Sequence, residues 1–229
     1  MTSLISGFKL IHRGFEETIL LLPGWAADHR IFGPLGLGFN YLLPTRLFMP
    51  DFENALLESL AKESLKTILI LGSSMGGFLA ADFAARHPEC VKHLTLVGMR
   101  KRYDQDGIEK IKGYLTANRT GYLYKFYHAC FSPGEGEYLA IFKKGLMKSY
   151  LKELSTDELL AGLDYLAGAR LDLKALQNIK ARFIHGGGDR IAPVEEMAGT
   201  GGLVVLKGAG HLPFLRTDFK EVFYGSKTG

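Results

Sequence analysis

The sequence predicts a three-layer α/β fold with a mostly parallel sheet and a helical cap inserted before the last two strands. Two observations predict the layers: short apolar runs recur along the chain, and the segments between them have helical periodicity. A third observation predicts the cap, since residues 101–172 contain no convincing buried strand. We therefore divide the chain into a core domain that carries the sheet, made of residues 1–100 and 173–229, and a helical cap, made of residues 101–172.

Seven apolar runs are candidates for the strands. Each is bounded by glycine or proline, and most are apolar on both faces, as a parallel sheet covered by helices requires. The strongest is residues 18–22, which ends at Pro23-Gly24. In chain order the predicted strands are residues 7–11, 18–22, 40–43, 67–71, 93–97, 182–185 and 203–206.

Two helices are expected between the early strands. Residues 51–63 form the first. Its apolar face, which we expect to lie inward, includes Leu56, Leu60 and Ala61. Residues 75–86 form the second and carry glycine and alanine at four-residue spacing. Such a stripe of small residues allows a helix to approach a sheet closely.

The cap is expected to consist of several helices, because it is rich in tyrosine, leucine, lysine and glutamate. The tripeptide Ser132-Pro133-Gly134 predicts a break between two of them. Ser155 and Glu158 have the spacing of a capping box, which predicts that a helix begins there.

Composition excludes several classes of protein. The 229 residues are 47% hydrophobic and 23% charged, which indicates a globular rather than a disordered chain. Two cysteines cannot form a disulfide framework, and no apolar run reaches the roughly 18 residues of a membrane span. We see no signal peptide and expect a cytoplasmic protein without a membrane partner. The net charge of +4 is too small to indicate nucleic acid, and the absence of metal or nucleotide motifs predicts no cofactor.

The sharpest chemical signal is Gly72-Ser73-Ser74-Met75-Gly76. It fits G-x-S-x-G, in which a nucleophilic serine stands on a sharp turn between a strand and a helix. The register selects Ser74, because only that serine has glycine two residues before it and two residues after it. The motif lies between a predicted buried strand and the small-residue helix, which is the context that this chemistry requires.

A serine nucleophile needs a base, and folds with this turn carry serine, acid and histidine in that chain order. Of seven histidines, only His211 follows the last predicted strand, in a glycine-rich turn that we expect to be exposed. Asp189 follows the strand at 182–185 through three glycines and is the predicted acid, which orients the base and stabilises its cationic form. Asp104, after the preceding strand, is the alternative.

An oxyanion formed at the nucleophile needs backbone N–H donors. Met75 is expected to supply one, at the N-terminus of the helix after the turn. Trp25 is expected to supply the other, in the loop after the second strand, where Gly24 lets the backbone approach a ligand. His29, farther along that loop, is predicted to lie at the site entrance and contact substrate.

Four segments, LLPGW, GSSMGG, GGDRIAPV and GAGHLPF, together resemble the α/β-hydrolase superfamily. Within it, the tryptophan and the compact cap are similar to those of the pimeloyl-acyl-carrier-protein methyl ester carboxylesterases of biotin synthesis. The resemblance covers residues 18–219 and implies a cytoplasmic, metal-free serine esterase that cleaves a methyl ester from an acyl chain on a carrier protein. It places nucleophile, acid, base and the two oxyanion donors on Ser74, Asp189, His211, Trp25 and Met75.

Three features depart from the family pattern. Pro23 stands where many members have a histidine, and residues 44–51 lack the usual glycine-rich loop. Only 21 residues separate Asp189 from His211, which predicts that the helix between the last two strands is shortened or absent. None of these departures removes a residue of the predicted chemistry.

The cap concentrates positive charge. Residues 101–152 contain ten basic and five acidic residues, a net charge of +5, against +4 for the whole chain. This charge suits an acidic acyl-carrier protein, although a solvated helix surface would have the same composition. The basic residues predicted to dock the carrier are Lys101, Arg102, Lys110, Lys112, Arg119 and Lys125.

An aromatic series in the cap either lines an acyl channel or forms the cap's own core. It comprises Tyr122, Tyr124, Phe126, Tyr127 and Phe131. We take Tyr122, Phe126 and Phe131 as the predicted substrate contacts.

The sequence therefore predicts a serine carboxylesterase that hydrolyses the methyl ester of pimeloyl-acyl-carrier protein through an acyl-enzyme. One alternative is a general small-molecule hydrolase, such as an esterase, a thioesterase or a carbon-carbon bond hydrolase. A non-catalytic binding protein on the same scaffold is an alternative from another class, and the complete set of serine, aspartate and histidine disfavours it.

Overall fold

A computed structural model of the protein describes residues 7–46 and 51–225. Seven strands form one sheet in the order β1-β3-β2-β4-β5-β6-β7, where β1 pairs antiparallel with β3 and all other pairs are parallel. The predicted α/β fold with a mostly parallel sheet is therefore confirmed. The strands are β1 (Phe8–Ile11), β2 (Thr18–Leu22), β3 (Asn40–Pro44), β4 (Ile68–Ser73), β5 (Val91–Val97), β6 (Ala181–Gly186) and β7 (Leu203–Leu206).

Helices pack on the sheet and form the cap. Helices α3 to α7 follow β5 and precede β6, which is where the insertion was expected. Helix α5 continues through a π-helical turn, Lys143–Met147, into α6. The helices are α1 (Phe52–Lys62), α2 (Met75–Arg86), α3 (Gln105–Ala117), α4 (Arg119–Ala129), α5 (Gly136–Phe142), α6 (Lys148–Glu153), α7 (Thr156–Gly168) and α8 (Phe219–Tyr224).

Helix α1 buries its apolar face with one exception. Leu56 and Leu60 are buried, as predicted, whereas Ala61 is exposed and the prediction for it was wrong. The reason is geometric, because Ala61 lies five residues after Leu56 and thus about 140° around the helix from it. The inward stripe is therefore narrower than the run of apolar residues in the sequence.

The helix start and the helix break that the sequence predicts in the cap are both present. Ser155 and Glu158 form a complete capping box at the start of α7. Ser132-Pro133-Gly134 separates α4 from α5. The cap has its own aromatic cluster, in which the rings of Tyr127, Phe142 and Tyr150 lie 5.3 to 6.2 Å apart.

The connection between β6 and β7 contains one short 3-10 turn, Val194–Met197, instead of a full helix. The predicted shortening is therefore present. Part of the departure at residues 44–51 lies outside the described residues, as do residues 1–6, on which the signal-peptide expectation depended. Among residues 7–46 and 51–225, no helix has both the length and the apolarity needed to cross a bilayer.

Candidate active site

Ser74 stands on the turn between β4 and α2, at the carboxyl edge of the sheet. Its φ of 50° and ψ of −117° lie in a region of backbone conformation that residues other than glycine rarely adopt. Its backbone N–H donates to the carbonyl of Val97 at the end of β5, at 2.9 Å. Backbone strain of this kind persists where surrounding structure fixes it, commonly at functional sites.

The flanking glycines are required by close backbone approaches. A Cβ atom on Gly72 would lie 2.6 Å from the carbonyl oxygen of Gly76. A Cβ atom on Gly76 would lie 2.5 Å from the carbonyl oxygens of both Leu22 and Pro23. Contacts this short do not occur, so the turn and its packing against β2 need glycine at both positions.

Alanine at Gly76 is therefore expected to destabilise the protein by about 1–3 kcal/mol, because rigid backbone atoms cannot move away from the new methyl group. Thermal unfolding should show a melting temperature lowered by several degrees. The matched control is Gly113→Ala in α3, where a Cβ atom meets nothing within 4 Å. That change should stabilise by about 0.5–1 kcal/mol, because glycine disfavours a helix interior. Equal effects at the two positions would contradict the steric argument.

His211 and Asp189 form a buried pair. Nδ1 of His211 lies 2.8 Å from Oδ2 of Asp189. A carboxylate can only accept, so Nδ1–H is the donor and Nε2 of the neutral ring is left as an acceptor. The other oxygen of Asp189 accepts from the backbone N–H groups of Ile191 and Ala192, at 2.8 and 2.9 Å. The N–H groups of its own loop therefore fix the carboxylate in place, and its second oxygen orients the histidine.

Burial alone would raise the pKa of Asp189. The opposing interactions are stronger, and charge attraction from His211 with hydrogen bonds from His185, His211 and Ala192 holds the pKa of this carboxyl well below its ordinary value. His185 is itself buried, and its Nε2–H donates to the carbonyl of Ala192 at 2.6 Å. His185 thereby ties β6 to the loop that carries Asp189.

The structure differs from the expectation for His211 and separates the two candidate acids by their contacts. His211 was expected on an exposed turn but is only 3% exposed, because the cap covers its loop. Asp104, the alternative acid, accepts from the N–H of Gly107 at 2.8 Å and caps α3 at the surface. It makes no hydrogen bond or ion pair with His211 among the described residues, so the acid beside the histidine is Asp189.

The hydroxyl of Ser74 contacts a residue that the sequence did not single out. Its Oγ lies 3.4 Å from the hydroxyl of Tyr103, and in the described part of the chain it makes no hydrogen bond to His211. Catalytic hydrogen bonds of ligand-free enzymes are often long and tighten when substrate binds. Burial raises the pKa of Tyr103, so its hydroxyl stays protonated and able to donate. No motif marks Tyr103 in the sequence.

Tyr103 is held in place by a neighbouring ion pair. The guanidinium of Arg100 lies 4.8 Å from the centre of the Tyr103 ring. Nε of Arg100 donates to Glu196 at 2.9 Å, and a second contact completes a bidentate pair. Glu196, which follows β6, thus fixes Arg100 and Tyr103, which follow β5 and line the site.

The two predicted oxyanion donors are buried and unpaired. Among the described residues, no hydrogen bond leaves the backbone N–H of Trp25 or of Met75. Buried N–H groups nearly always have a partner, so two that lack one near a nucleophile are available to a ligand. The indole N–H of Trp25 donates instead to the carbonyl of Leu159 in α7, at 2.8 Å. The side chain of Trp25 therefore joins the core to the cap.

A cavity of about 210 Å³ opens at Ser74 and is roofed by the cap. Tyr122 and Phe126 line it, as predicted, and burial raises the pKa of Tyr122 to about 12. Trp25, Tyr103, Arg100 and Arg190 also line it. Its apolar lining from α3, α4 and α7 comprises Ile108, Ile111, Tyr122, Phe126, Leu163 and Leu166.

Other predicted substrate contacts lie elsewhere. Gly24 lines a separate cavity of about 20 Å³ together with His211. His29 begins a 3-10 turn and lines neither cavity. Phe131 lies past the end of α4, is buried against Phe142 of α5 and belongs to the cap's own core.

Two of the six basic residues predicted to dock a carrier protein already have partners within the cap. Lys112 pairs with Glu109 and Asp164, at 2.6 and 2.5 Å. Arg119 donates to the carbonyls of Leu151 and Leu154 and is therefore a structural tie within the cap. The residues that remain exposed and without an ion pair in the described part of the chain are Lys101, Arg102, Lys110 and Lys125.

No group of three or more histidine, cysteine, aspartate or glutamate side chains among the described residues is arranged to hold a metal ion. The chemistry that this arrangement can perform rests on the serine hydroxyl, the imidazole and the two N–H groups.

A family model described as the alpha/beta hydrolase family matches residues 19–223. A 2-hydroxymuconate semialdehyde hydrolase from Pseudomonas putida is 34% identical over 134 residues, which are 55% of this chain and 47% of that protein. A 1-acylglycerol-3-phosphate O-acyltransferase from Arabidopsis thaliana is 50% identical over 36 residues, 16% of this chain and 9% of that protein. The matched segments thus span less than half the length of these curated relatives.

Solved structures of similar fold cover nearly the whole chain. An esterase from Thermogutta terrifontis superposes with a TM-score of 0.78 at 18% identity, over 95% of this chain and 90% of that one. An esterase from Exiguobacterium antarcticum gives a TM-score of 0.75 at 19% identity, over 94% and 91% of the two chains. At such identities the likeness concerns the fold.

Proposed function

Because the chain belongs to the alpha/beta hydrolase family, we propose that it is a serine carboxylesterase with Ser74, Asp189 and His211 as its catalytic residues. The observation that carries the proposal is the buried His211–Asp189 pair at the sheet edge where Ser74 occupies its strained turn. The N–H groups of Trp25 and Met75, which have no partner within residues 7–46 and 51–225, add the donors that an acyl-transfer site needs.

Acylation begins when Nε2 of His211 removes the proton of Ser74 and Oγ attacks the ester carbonyl. The carbonyl oxygen becomes an oxyanion, which the N–H groups of Trp25 and Met75 stabilise. Asp189 stabilises the imidazolium that forms. The intermediate collapses as the carbon–oxygen bond to the alcohol breaks, and His211 returns its proton to the leaving alkoxide.

Deacylation repeats the sequence with water. His211 removes a proton from water, which attacks the acyl carbon, and the tetrahedral intermediate expels Ser74. The proton returns to Oγ, so that the free acid is released and the enzyme is restored. No other group needs to change its charge during the cycle.

For the substrate we propose the methyl ester of an acyl chain, pimeloyl, on an acyl-carrier protein. The cavity's apolar lining suits an acyl chain. Exposed Lys110 in α3 and Lys125 in α4 suit an acidic carrier, because charge complementarity accelerates association.

A small-molecule hydrolase is the second candidate. It is favoured by the similarity to a hydrolase that acts on 2-hydroxymuconate semialdehyde, and by a cavity of about 210 Å³, which is small. Such an enzyme would need no carrier protein, and its rate would not depend on exposed lysines of the cap.

A comparison of a carrier-bound methyl ester with the free methyl ester distinguishes the two candidate functions. The enzyme should hydrolyse both p-nitrophenyl acetate and a carrier-bound methyl ester. Its kcat/KM for the carrier-bound methyl ester should exceed its kcat/KM for the free methyl ester at least about tenfold. Reversing the charge of Lys110 and Lys125 together, to glutamate, should lower kcat/KM for the carrier-bound ester about tenfold, chiefly through slower association.

The double variant should leave hydrolysis of p-nitrophenyl acetate unchanged. Reversal of the exposed Lys62 and Lys66 together, at the opposite end of the core, is the matched control and should affect neither substrate. Equal rates on carrier-bound and free esters would contradict the carrier proposal and favour the second candidate.

A further inference from the structure

The loop that carries His211 is held by the core, where the N–H of Gly188 donates to the carbonyl of Ala209 at 2.8 Å, and also by the cap. Strand β7 ends at Leu206, and the chain from there to His211 forms no regular structure. The backbone N–H of His211 donates to the carbonyl of Cys130 at 2.7 Å. The preceding N–H, that of Gly210, donates to Oε2 of Glu135 at 2.8 Å. Both acceptors belong to residues 130–135, the segment between α4 and α5.

Glu135 is a buried carboxylate with defined partners. Its side chain is 3% exposed. The same oxygen that receives Gly210 also accepts from the N–H of Ser132 at 2.8 Å. Arg216 lies 4.0 Å from the other oxygen. Burying a charge is costly unless hydrogen bonds compensate it, so these contacts explain how the carboxylate is kept inside and what it holds.

The same segment, together with the end of α4, also contacts the loop of the acid. Arg190, next to Asp189, donates to the carbonyls of His128 and Phe131, at 3.2 and 2.8 Å. The hydroxyl of Ser132 donates to the carbonyl of Gly208. Acid and base thus lie on two loops that one part of the cap connects.

From these contacts we propose that Glu135 is a positioning residue that sets the place of His211 from the cap. The inference rests on the proposed function, because it concerns the base of that reaction. Glu135 lines neither cavity, so it touches no substrate. Its removal leaves the N–H of Gly210 without a partner and lets the loop shift, and a displacement of about 1 Å at a catalytic group lowers a rate up to about 100-fold.

The test compares Glu135→Ala, Glu135→Gln and Glu137→Ala with the wild type on p-nitrophenyl acetate. Rates are divided by the number of sites that a fluorophosphonate titrates, so that misfolded molecules do not count. Glu135→Ala should lose about 10- to 100-fold in kcat per site with KM within twofold. Glu135→Gln keeps an oxygen that accepts both N–H groups and should stay within about threefold. Glu137 is exposed on α5, and its variant should equal the wild type.

If the alanine variant does not fold, Glu135→Asp tests the positioning role of Glu135 instead. Aspartate keeps the charge but withdraws the carboxylate by one methylene, so kcat per site should again fall. An unchanged kcat per site in a folded alanine or aspartate variant would overturn the inference, as would a loss confined to the number of titratable sites. A wild type that neither reacts with fluorophosphonate nor hydrolyses ester would overturn the proposed function and this inference with it.

Discussion

Replacing Ser74 with alanine is expected to reduce hydrolysis of p-nitrophenyl acetate by at least about 10³-fold, to the residual rate that the oxyanion donors and substrate binding sustain without a nucleophile. In the proposed mechanism the hydroxyl supplies the attacking oxygen, and no neighbouring group on the turn can replace it. Alanine removes one buried atom and retains the backbone of the turn, so the melting temperature should change little. Initial rates, fluorophosphonate labelling and thermal unfolding measure the three quantities.

The adjacent serine offers a matched control. Ser73 is buried, and its hydroxyl has no hydrogen-bond partner in the described part of the chain. Ser73→Ala should therefore retain most of the wild-type rate. A Ser74→Ala protein with substantial activity would contradict the assignment of the nucleophile, and so would loss of activity in the Ser73 variant alone.

The second large effect is expected from Asp189→Asn, which should lower kcat by about 10³- to 10⁴-fold. An amide nitrogen facing Nδ1 of His211 donates, so the ring takes the tautomer whose Nε2 carries the proton and cannot accept one from Ser74. The other side-chain oxygen still accepts from Ile191 and Ala192, so the loop should keep its shape. Steady-state kinetics at neutral pH measure the loss.

Stability against pH gives an independent measure of the same carboxyl. The lowered pKa of Asp189 means that its charge stabilises the fold fully above the ordinary carboxyl pKa of about 4, and that this contribution is lost as the pH falls through the lowered value. The wild type should therefore exceed the asparagine variant in stability at neutral pH, and the difference should shrink below about pH 4. A constant difference down to pH 2 would contradict this.

Asp104→Asn is the control for the choice of acid. Asparagine is as good an N-cap as aspartate, so α3 should keep its cap and the enzyme its activity. The opposite pattern, with activity lost at Asp104 and kept at Asp189, would show that the acid is misassigned.

Predictions from the sequence succeeded where the signal was local. Residues 18–22 are apolar throughout after the first position, and they form the fully buried β2. The capping box at Ser155 and the glycines around Ser74 depend on residues within four positions of each other, and their geometry is as expected. The carboxyl edge of the sheet then brings Asp189 to His211, because loops that follow parallel strands meet there.

Predictions failed where contacts join distant segments. The burial of His211 depends on Cys130 and Glu135, some 75 to 80 residues earlier, and no spacing rule relates them. Arg119 has the composition of a docking residue but donates to carbonyls of α6 and the following turn. Nothing in the sequence distinguishes Phe126 from Phe131, yet Phe126 lines the cavity whereas Phe131 packs against Phe142 in the cap's own core. Tertiary packing decided each of these cases.

The indole of Trp25 has an optical consequence. It is the only tryptophan of the chain, its ring lines the cavity, and its N–H is bonded to the cap at Leu159. The fluorescence of the protein excited at long wavelength therefore comes from a single chromophore at the boundary between cap and core. Any displacement of the cap, and any ligand that fills the cavity, alters the polarity around that one ring and is reported in its emission without an added label.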